Sequence, residues 1–104
     1  MLHLKNRKWF NVLLVPRLAV TAAGMFSPEQ NRAARALLGW SRDRLADESG
    51  VSAIAIKAFE SGGNDPRVST LVAIRTAFAR SNVIFLDPTE ERGPGVAFGL
   101  RGVH

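Results

Sequence analysis

The sequence predicts one small, mainly α-helical domain of four or five helices, followed by a short β-hairpin. Between residues 27 and 63, serines suited to helix N-caps alternate with glycines suited to helix ends. Apolar residues recur with helical spacing up to residue 80. Two short apolar runs then flank a stretch rich in proline and glycine, as in a hairpin. The length of 104 residues suits a single domain.

Residues 1–24 differ in composition from the rest of the chain. A basic start precedes an apolar run, as in a secretory signal. Pro16 and Arg17 break the run, and neither half reaches the roughly 20 residues that span a bilayer. We therefore predict a disordered or non-native leader, a natural start at Met25 and no membrane partner. A weak amphipathic arm and a targeting or membrane-contacting segment are the alternatives.

The formal net charge of +5 favours a polyanionic partner, but its distribution weakens that argument. Residues 1–24 contain four basic and no acidic side chains, whereas the remaining 80 residues contain ten basic and nine acidic ones. The chain has no cysteine, and its two histidines, His3 and His104, lie at the ends. With no nucleophile–base pair and no phosphate-binding glycine loop, we expect no metal, no cofactor and no enzyme.

The first helix is predicted to begin at a capping box. Ser27 is the cap, Pro28 suits the first helical position, and Gln30 stands three residues after the cap. Gly39 ends this helix in a left-handed conformation. The inward-facing residues are predicted to be Ala33, Ala36 and Leu37.

Two shorter helices follow. Ser41 caps a helix over Arg42–Ser49, which Gly50 ends. Ser52 then caps a helix over Ala53–Ser61, which a pair of glycines ends. The turn between them allows a positive φ at its glycine and leaves the start of the second helix exposed. Such an end can enter the major groove of DNA while the helix before it crosses the backbone.

The last predicted helix covers Thr70–Arg80, with Ser69 as its cap and Asn82 as its left-handed end. After it, Val83–Leu86 and Val96–Phe98 are predicted strands of a hairpin. We therefore divide the chain into the leader, a domain at 25–82 and a hairpin with its tail at 83–104. The predicted core comprises Leu37, Trp40, Leu45, Val51, Ile56, Phe59, Leu71, Ile74 and Phe78.

Residues 28–87 resemble the Xre family of phage repressor and Cro-like helix-turn-helix regulators, in particular its short single-domain members. The matching features are Leu45-Ala46, Gly50-Val51-Ser52, Ile56, Glu60 with Gly62, Pro66, and Ser69-Thr70-Leu71. The resemblance implies a repressor-like regulator that binds double-stranded DNA in the cytoplasm. It also implies that Arg35 and Glu60 meet beneath the DNA-binding face, either as a purely structural ion pair or with Arg35 also facing a phosphate.

Phosphate contacts are expected from Ser41 and Arg42 and, after the recognition helix, from Asn64 and Arg67. Arg42 departs from the family, which often has glutamine at this position. Arg44 contacts phosphate in one interpretation and is solvated in the other. Base contacts are expected from Ser52, Ala53, Ile54 and Lys57.

Lys57 is the long hydrogen-bond donor in that exposed set, so an alternative is that Ala53–Ala55 reads no bases. One domain makes few contacts, which favours a homodimer on a two-fold site, with the hairpin pairing the subunits. The apolar recognition face also supports a second hypothesis. In it, the chain is a protein-interaction module, such as an antitoxin or adaptor that binds a toxin or co-regulator.

Overall fold

The computed structural model describes residues 25–63 and 65–100, so the predictions for the leader, Asn64 and the last four residues lie outside it. The described part confirms a mainly helical fold with a C-terminal antiparallel hairpin. Its elements are α1 (Pro28–Leu38), α2 (Arg42–Ser49), α3 (Ala53–Glu60), α4 (Val68–Arg80), β1 (Val83–Leu86) and β2 (Gly95–Phe98). None of the described helices has the length and apolar character needed to cross a bilayer.

The capping box at the start of α1 is confirmed. Ser27 Oγ accepts a hydrogen bond from the backbone N–H of Gln30 at 3.0 Å, and the backbone N–H of Ser27 donates to Gln30 Oε1 at 2.9 Å. Pro28 occupies the first turn, where its missing N–H costs no helical hydrogen bond. Gly39 ends the helix with φ of 67°. Local sequence chemistry therefore fixes both ends of α1.

Ser41 and Ser52 cap α2 and α3, as predicted, by accepting hydrogen bonds from backbone N–H groups in the first turns. Gly50, with φ of 80°, provides the left-handed residue of the turn between these helices. The predicted end of α3 is one residue too long, because Ser61 is the C-cap and Gly62 takes the left-handed conformation.

The predicted start of α4 is wrong by two residues. The N-cap is Arg67 and not Ser69, and it makes no side-chain capping bond. Its carbonyl accepts hydrogen bonds from the backbone N–H groups of Thr70 and Leu71. Ser69 therefore lies inside the first turn. The N-cap, Arg67, directly follows Pro66. Backbone hydrogen bonds alone form this cap, so no serine side chain is needed. Asn82 has φ of 65°, as predicted for the end of α4.

The inward face of α1 also differs from the prediction. It buries Gln30, Asn31 and Ala34, whereas Ala36 is exposed and Leu37 is 40% exposed. Apolar spacing could not reveal this face, because two of its three buried side chains are polar, and their amide nitrogens donate to partners distant in sequence. The core otherwise contains the predicted residues, with Val51 half-buried against it. The remaining members of the cluster are Phe26, Ala34, Ala77 and Val83.

The hairpin packs on the helices. Its register places Val83 opposite Phe98 and Leu86 opposite Gly95. The ring of Phe85 stacks on Phe26, with centroids 4.4 Å apart, and meets the ring of Phe78 edge-on at 5.9 Å. The inner side of the hairpin is thereby covered in part, with Val83 buried and Phe85 and Val96 partly buried, and a two-stranded sheet needs such packing to be stable in water.

Candidate nucleic-acid interface

The start of α3 is exposed because the turn after α2 directs it away from the core. Ile56, Phe59 and Glu60 form the buried side of this helix. On the opposite side, the side chain of Ile54 is 82% exposed and Lys57 is also exposed. The capping hydroxyl of Ser52 is exposed at the helix start. This helix therefore presents a short, largely apolar surface to a ligand.

One open groove joins the start of α3 to the start of α2. Its volume is about 450 Å³. Five of the eight residues predicted to contact DNA line this groove, together with Arg35 and Asp43. The five are Ser41, Arg42, Ala53, Ile54 and Lys57. Ser52 lies at the adjacent cap, whereas Arg67 is exposed before α4 and does not line the groove.

Beneath the groove, Arg35 and Glu60 are joined by two parallel hydrogen bonds. Arg35 Nε donates to Glu60 Oε2 at 2.8 Å, and Arg35 Nη2 donates to Glu60 Oε1 at 2.9 Å. The third nitrogen, Nη1, donates to the carbonyl of Trp40 at 3.0 Å. The Glu60 side chain is 1% exposed. This bidentate geometry ties α1 to α3 directly behind the recognition face.

Two further side chains donate to the same carboxylate, and the sequence did not indicate either of them. Arg42 Nε donates to Glu60 Oε1 at 3.0 Å. Asn31 Nδ2 donates to Glu60 Oε2, and Asn31 is fully buried. The one available signal is spacing, because Asn31 stands four residues before Arg35 and so lies on the same side of α1.

Burial alone would raise the pKa of Glu60. The hydrogen bonds from Arg35, Asn31 and Arg42, with the positive charge of Arg35, outweigh that effect and hold the pKa below its ordinary value of 4.5. Glu60 is therefore ionised at neutral pH. A buried carboxylate of this kind is stable only while its donors remain in place.

The described residues carry nine basic and nine acidic side chains, so any positive surface in this part of the chain depends on where those charges lie. Arg44 is engaged within α2, because its Nε donates to Glu48 at 2.9 Å and its guanidinium lies 5.1 Å from the centre of the Trp40 ring. At the groove, Arg42 and Lys57 supply positive charge, and Asp43 supplies a negative one.

Comparison with known proteins agrees with this geometry. Residues 32–81 match a family described as Helix-turn-helix. The matched range runs from α1 to the end of α4, and it contains both helices that line the groove and the turn that joins them. No match was found among the curated proteins.

Proposed function

Because the chain belongs to the Xre/Cro-like helix-turn-helix family of DNA-binding regulators, we propose that it is a repressor-like transcriptional regulator. In this proposal it binds double-stranded DNA as a homodimer in the cytoplasm. The observation that carries the proposal is the shared groove, because the starts of α2 and α3 line one surface that holds most of the predicted contact residues. In this proposal the helices at 25–82 bind DNA, and the short hairpin within the segment 83–104 pairs the subunits.

The proposed docking places α3 in the major groove and α2 across the DNA backbone. Ala53 and Ile54 would contact thymine methyl groups, and Lys57 would donate to a guanine. Ser52, at the start of the same helix, is proposed as a further polar contact. The phosphate contacts are assigned to Ser41, Arg42, Asn64 and Arg67, which position the protein without reading sequence.

Sequence preference is expected to be moderate. The exposed side of α3 offers one long donor, Lys57, beside the apolar side chains of Ala53 and Ile54. Contacts to thymine methyl groups discriminate less than bidentate hydrogen bonds do. Part of the specificity must then come from DNA shape and from the spacing of two half-sites.

The hairpin supports the proposed homodimer. The side chains of Ile84 and Phe98 are about half-exposed. The backbone N–H of Gly99 donates to the carbonyl of Asn82, which pairs these two residues across the hairpin. In an antiparallel pair, every second residue of each strand is bonded to the other strand, and the N–H and C=O groups of the residues between them point outward. These outer groups have no backbone partner among the described residues. A second copy of the hairpin would cover both the apolar side chains and a free strand edge.

The proposal is tested by fluorescence anisotropy of the full chain on labelled duplexes of random sequence, at low and high salt. Binding at micromolar protein that weakens as salt rises is expected, because phosphate contacts release counterions. Selection of bound duplexes should then enrich a two-fold symmetric sequence rich in A·T pairs. Absence of salt-sensitive binding would reject the DNA-binding function.

The protein-interaction module is the second candidate, and the exposed Ile54 favours it. An apolar residue at the start of an exposed helix also suits a protein groove, such as that of a toxin or co-regulator. Ile54→Lys separates the two functions. It adds a cation to a DNA-binding face, so DNA affinity should be kept or increased, whereas an apolar protein contact would be lost.

A further inference from the structure

We propose that Glu60 is a positioning residue for DNA binding, because it anchors Arg42 by its Nε atom and directs the two terminal nitrogens of that guanidinium to a DNA phosphate. This inference rests on the proposed DNA binding. In addition to joining α1 and α3, the buried ion-pair cluster beneath the groove would hold the phosphate-contacting side chain of Arg42 in position.

Arg42 is held at one nitrogen and open at the other two. Its Nε donates to Glu60 Oε1 at 3.0 Å, and within the described part of the chain this is the one hydrogen bond that its side chain makes. The Arg42 side chain is 43% exposed at the groove, whereas the Glu60 side chain is 1% exposed. The terminal N–H groups are thus free to donate in pairs, and this fork matches the geometry of phosphate.

Arg35 is less suited to this role, although it binds the same carboxylate. All three of its nitrogens already donate, two to Glu60 and one to the carbonyl of Trp40. Its side chain is 17% exposed. Arg35 therefore has no nitrogen without a partner, whereas both terminal nitrogens of Arg42 are unbound among the described residues, and the Arg42 side chain is the more exposed of the two.

The local charges explain why an anchor is useful. Arg35 and Arg42 together exceed the single charge of Glu60, so the cluster keeps one positive charge at the groove. Asp43 also lines the groove, and its carboxylate would compete with phosphate for an arginine that moved freely. Fixing Arg42 by Nε also reduces the side-chain entropy that is lost when DNA binds.

The main test is Arg42→Lys in the full chain, measured by anisotropy on the random duplexes that the wild type binds. Lysine keeps the positive charge, but its side chain has a single nitrogen. That nitrogen cannot bind Glu60 and also present two further nitrogens to a phosphate. We expect affinity to fall about ten-fold, close to the loss for Arg42→Gln. Arg75→Lys is the control. It should leave affinity unchanged, because Arg75 is exposed on α4 and does not line the groove.

A double-mutant cycle then links Arg42 to Glu60. Glu60→Gln should weaken DNA binding, and adding Arg42→Gln to it should cost little more, because both changes remove the same contact. A purely structural Glu60 would give additive losses, which would overturn the proposal. Each variant is compared at a temperature at which circular dichroism shows it folded.

If Glu60→Gln does not fold, Arg42→Lys still tests the positioning role, because Arg42 lies on the surface of α2. Wild-type affinity in Arg42→Lys would show that charge alone matters and would reject the positioning role while leaving DNA binding intact. A wild-type chain that binds no DNA would instead reject the proposed function itself.

Discussion

At the scale of single residues, Glu60 is the position on which the polar contacts of the helical core converge. One carboxylate receives donors from Asn31 and Arg35 of α1 and from Arg42 of α2. A buried ion pair of this kind adds little net stability over a well-packed apolar core, but breaking it by removing one partner is costly. The arrangement therefore fixes the relative positions of three helices more than it adds to the free energy of folding.

Stability is expected to fall in acid because of Glu60. The pKa of this group is lower in the folded state than its ordinary value of 4.5. The contribution of ionised Glu60 to the free energy of unfolding is therefore complete above about pH 4.5. It is lost as the pH falls through the lower pKa of the folded state. Urea denaturation of the wild type and Glu60→Gln between pH 3 and 7 measures this. The variant should be less stable at pH 7 by about 3–5 kcal/mol, and the difference should narrow below pH 4.5. A gap that stayed constant with pH would contradict the assignment.

Only part of the set of contacts around Glu60 could be predicted from the sequence. The Arg35–Glu60 pair was anticipated from the family resemblance, but the contacts of Asn31 and Arg42 were not. Apolar periodicity identifies a buried face by its hydrophobic residues, so it cannot detect a face that buries Gln30 and Asn31. Such positions depend on hydrogen-bond partners that lie 29 to 65 residues away in the chain, and those partners become visible only in the folded structure.

At the scale of elements, serine caps and glycine ends determine α1, α2 and α3, which is why these helices were predicted closely. Their signals are local, since each cap acts on a backbone N–H three residues away. The start of α4 lacks a side-chain cap and was therefore misplaced. The hairpin was predicted from its apolar runs, but its attachment to α1 was not, because that depends on long-range contacts of Gln30.

The turn between α2 and α3 should be sensitive to Gly50→Ala. Apart from its two neighbours in the chain, no residue has an atom within 4 Å of the position that a Cβ would take, so the penalty comes from φ of 80° alone. We expect a loss of about 1–2 kcal/mol in the free energy of unfolding, and a smaller loss for Gly50→Asn. Gly93→Ala is the control, because that site has equal space and no left-handed φ. Equal effects at both glycines would contradict this reasoning.

The attachment of the hairpin to α1 depends on Gln30. Its Nε2 donates to the carbonyls of Gly95 at 2.9 Å and Leu86 at 3.4 Å, while its Oε1 completes the capping box with Ser27. One side chain therefore serves both the start of α1 and the end of the hairpin next to its loop.

Gln30→Glu keeps an acceptor for the cap and removes the two donors. We expect faster hydrogen exchange at amides of β1 and β2, with those of α2 and α3 little changed. Ser27→Ala is the matched control, because it removes the cap and should cost about 1 kcal/mol without a selective effect on the hairpin. Unchanged exchange in the hairpin of Gln30→Glu would show that aromatic packing alone holds it.

At the scale of the whole molecule, net charge is a poor guide to where DNA binds. Of the formal charge of +5, residues 1–24 contribute +4, whereas the described part is balanced, with nine basic and nine acidic side chains. Within it, the charge of Glu60 already neutralises one of the two arginines that contact its carboxylate. A neutral body with cations placed at one groove would bind DNA in a defined orientation, because attraction is confined to that face.

Two substitutions that change net charge equally should therefore have different effects on DNA binding. Lys57→Gln removes a cation from the groove, whereas Arg75→Gln removes an exposed cation from α4 that does not line it. Only Lys57→Gln should weaken DNA binding strongly.

If its partner is a phosphate, the slope of log affinity against log salt should become shallower by about one per subunit. If Lys57 donates to a guanine, as proposed, sequence preference should relax instead. Anisotropy at several salt concentrations, on selected and random duplexes, separates these results. Equal weakening by both variants would show that overall charge, and not the groove, governs binding.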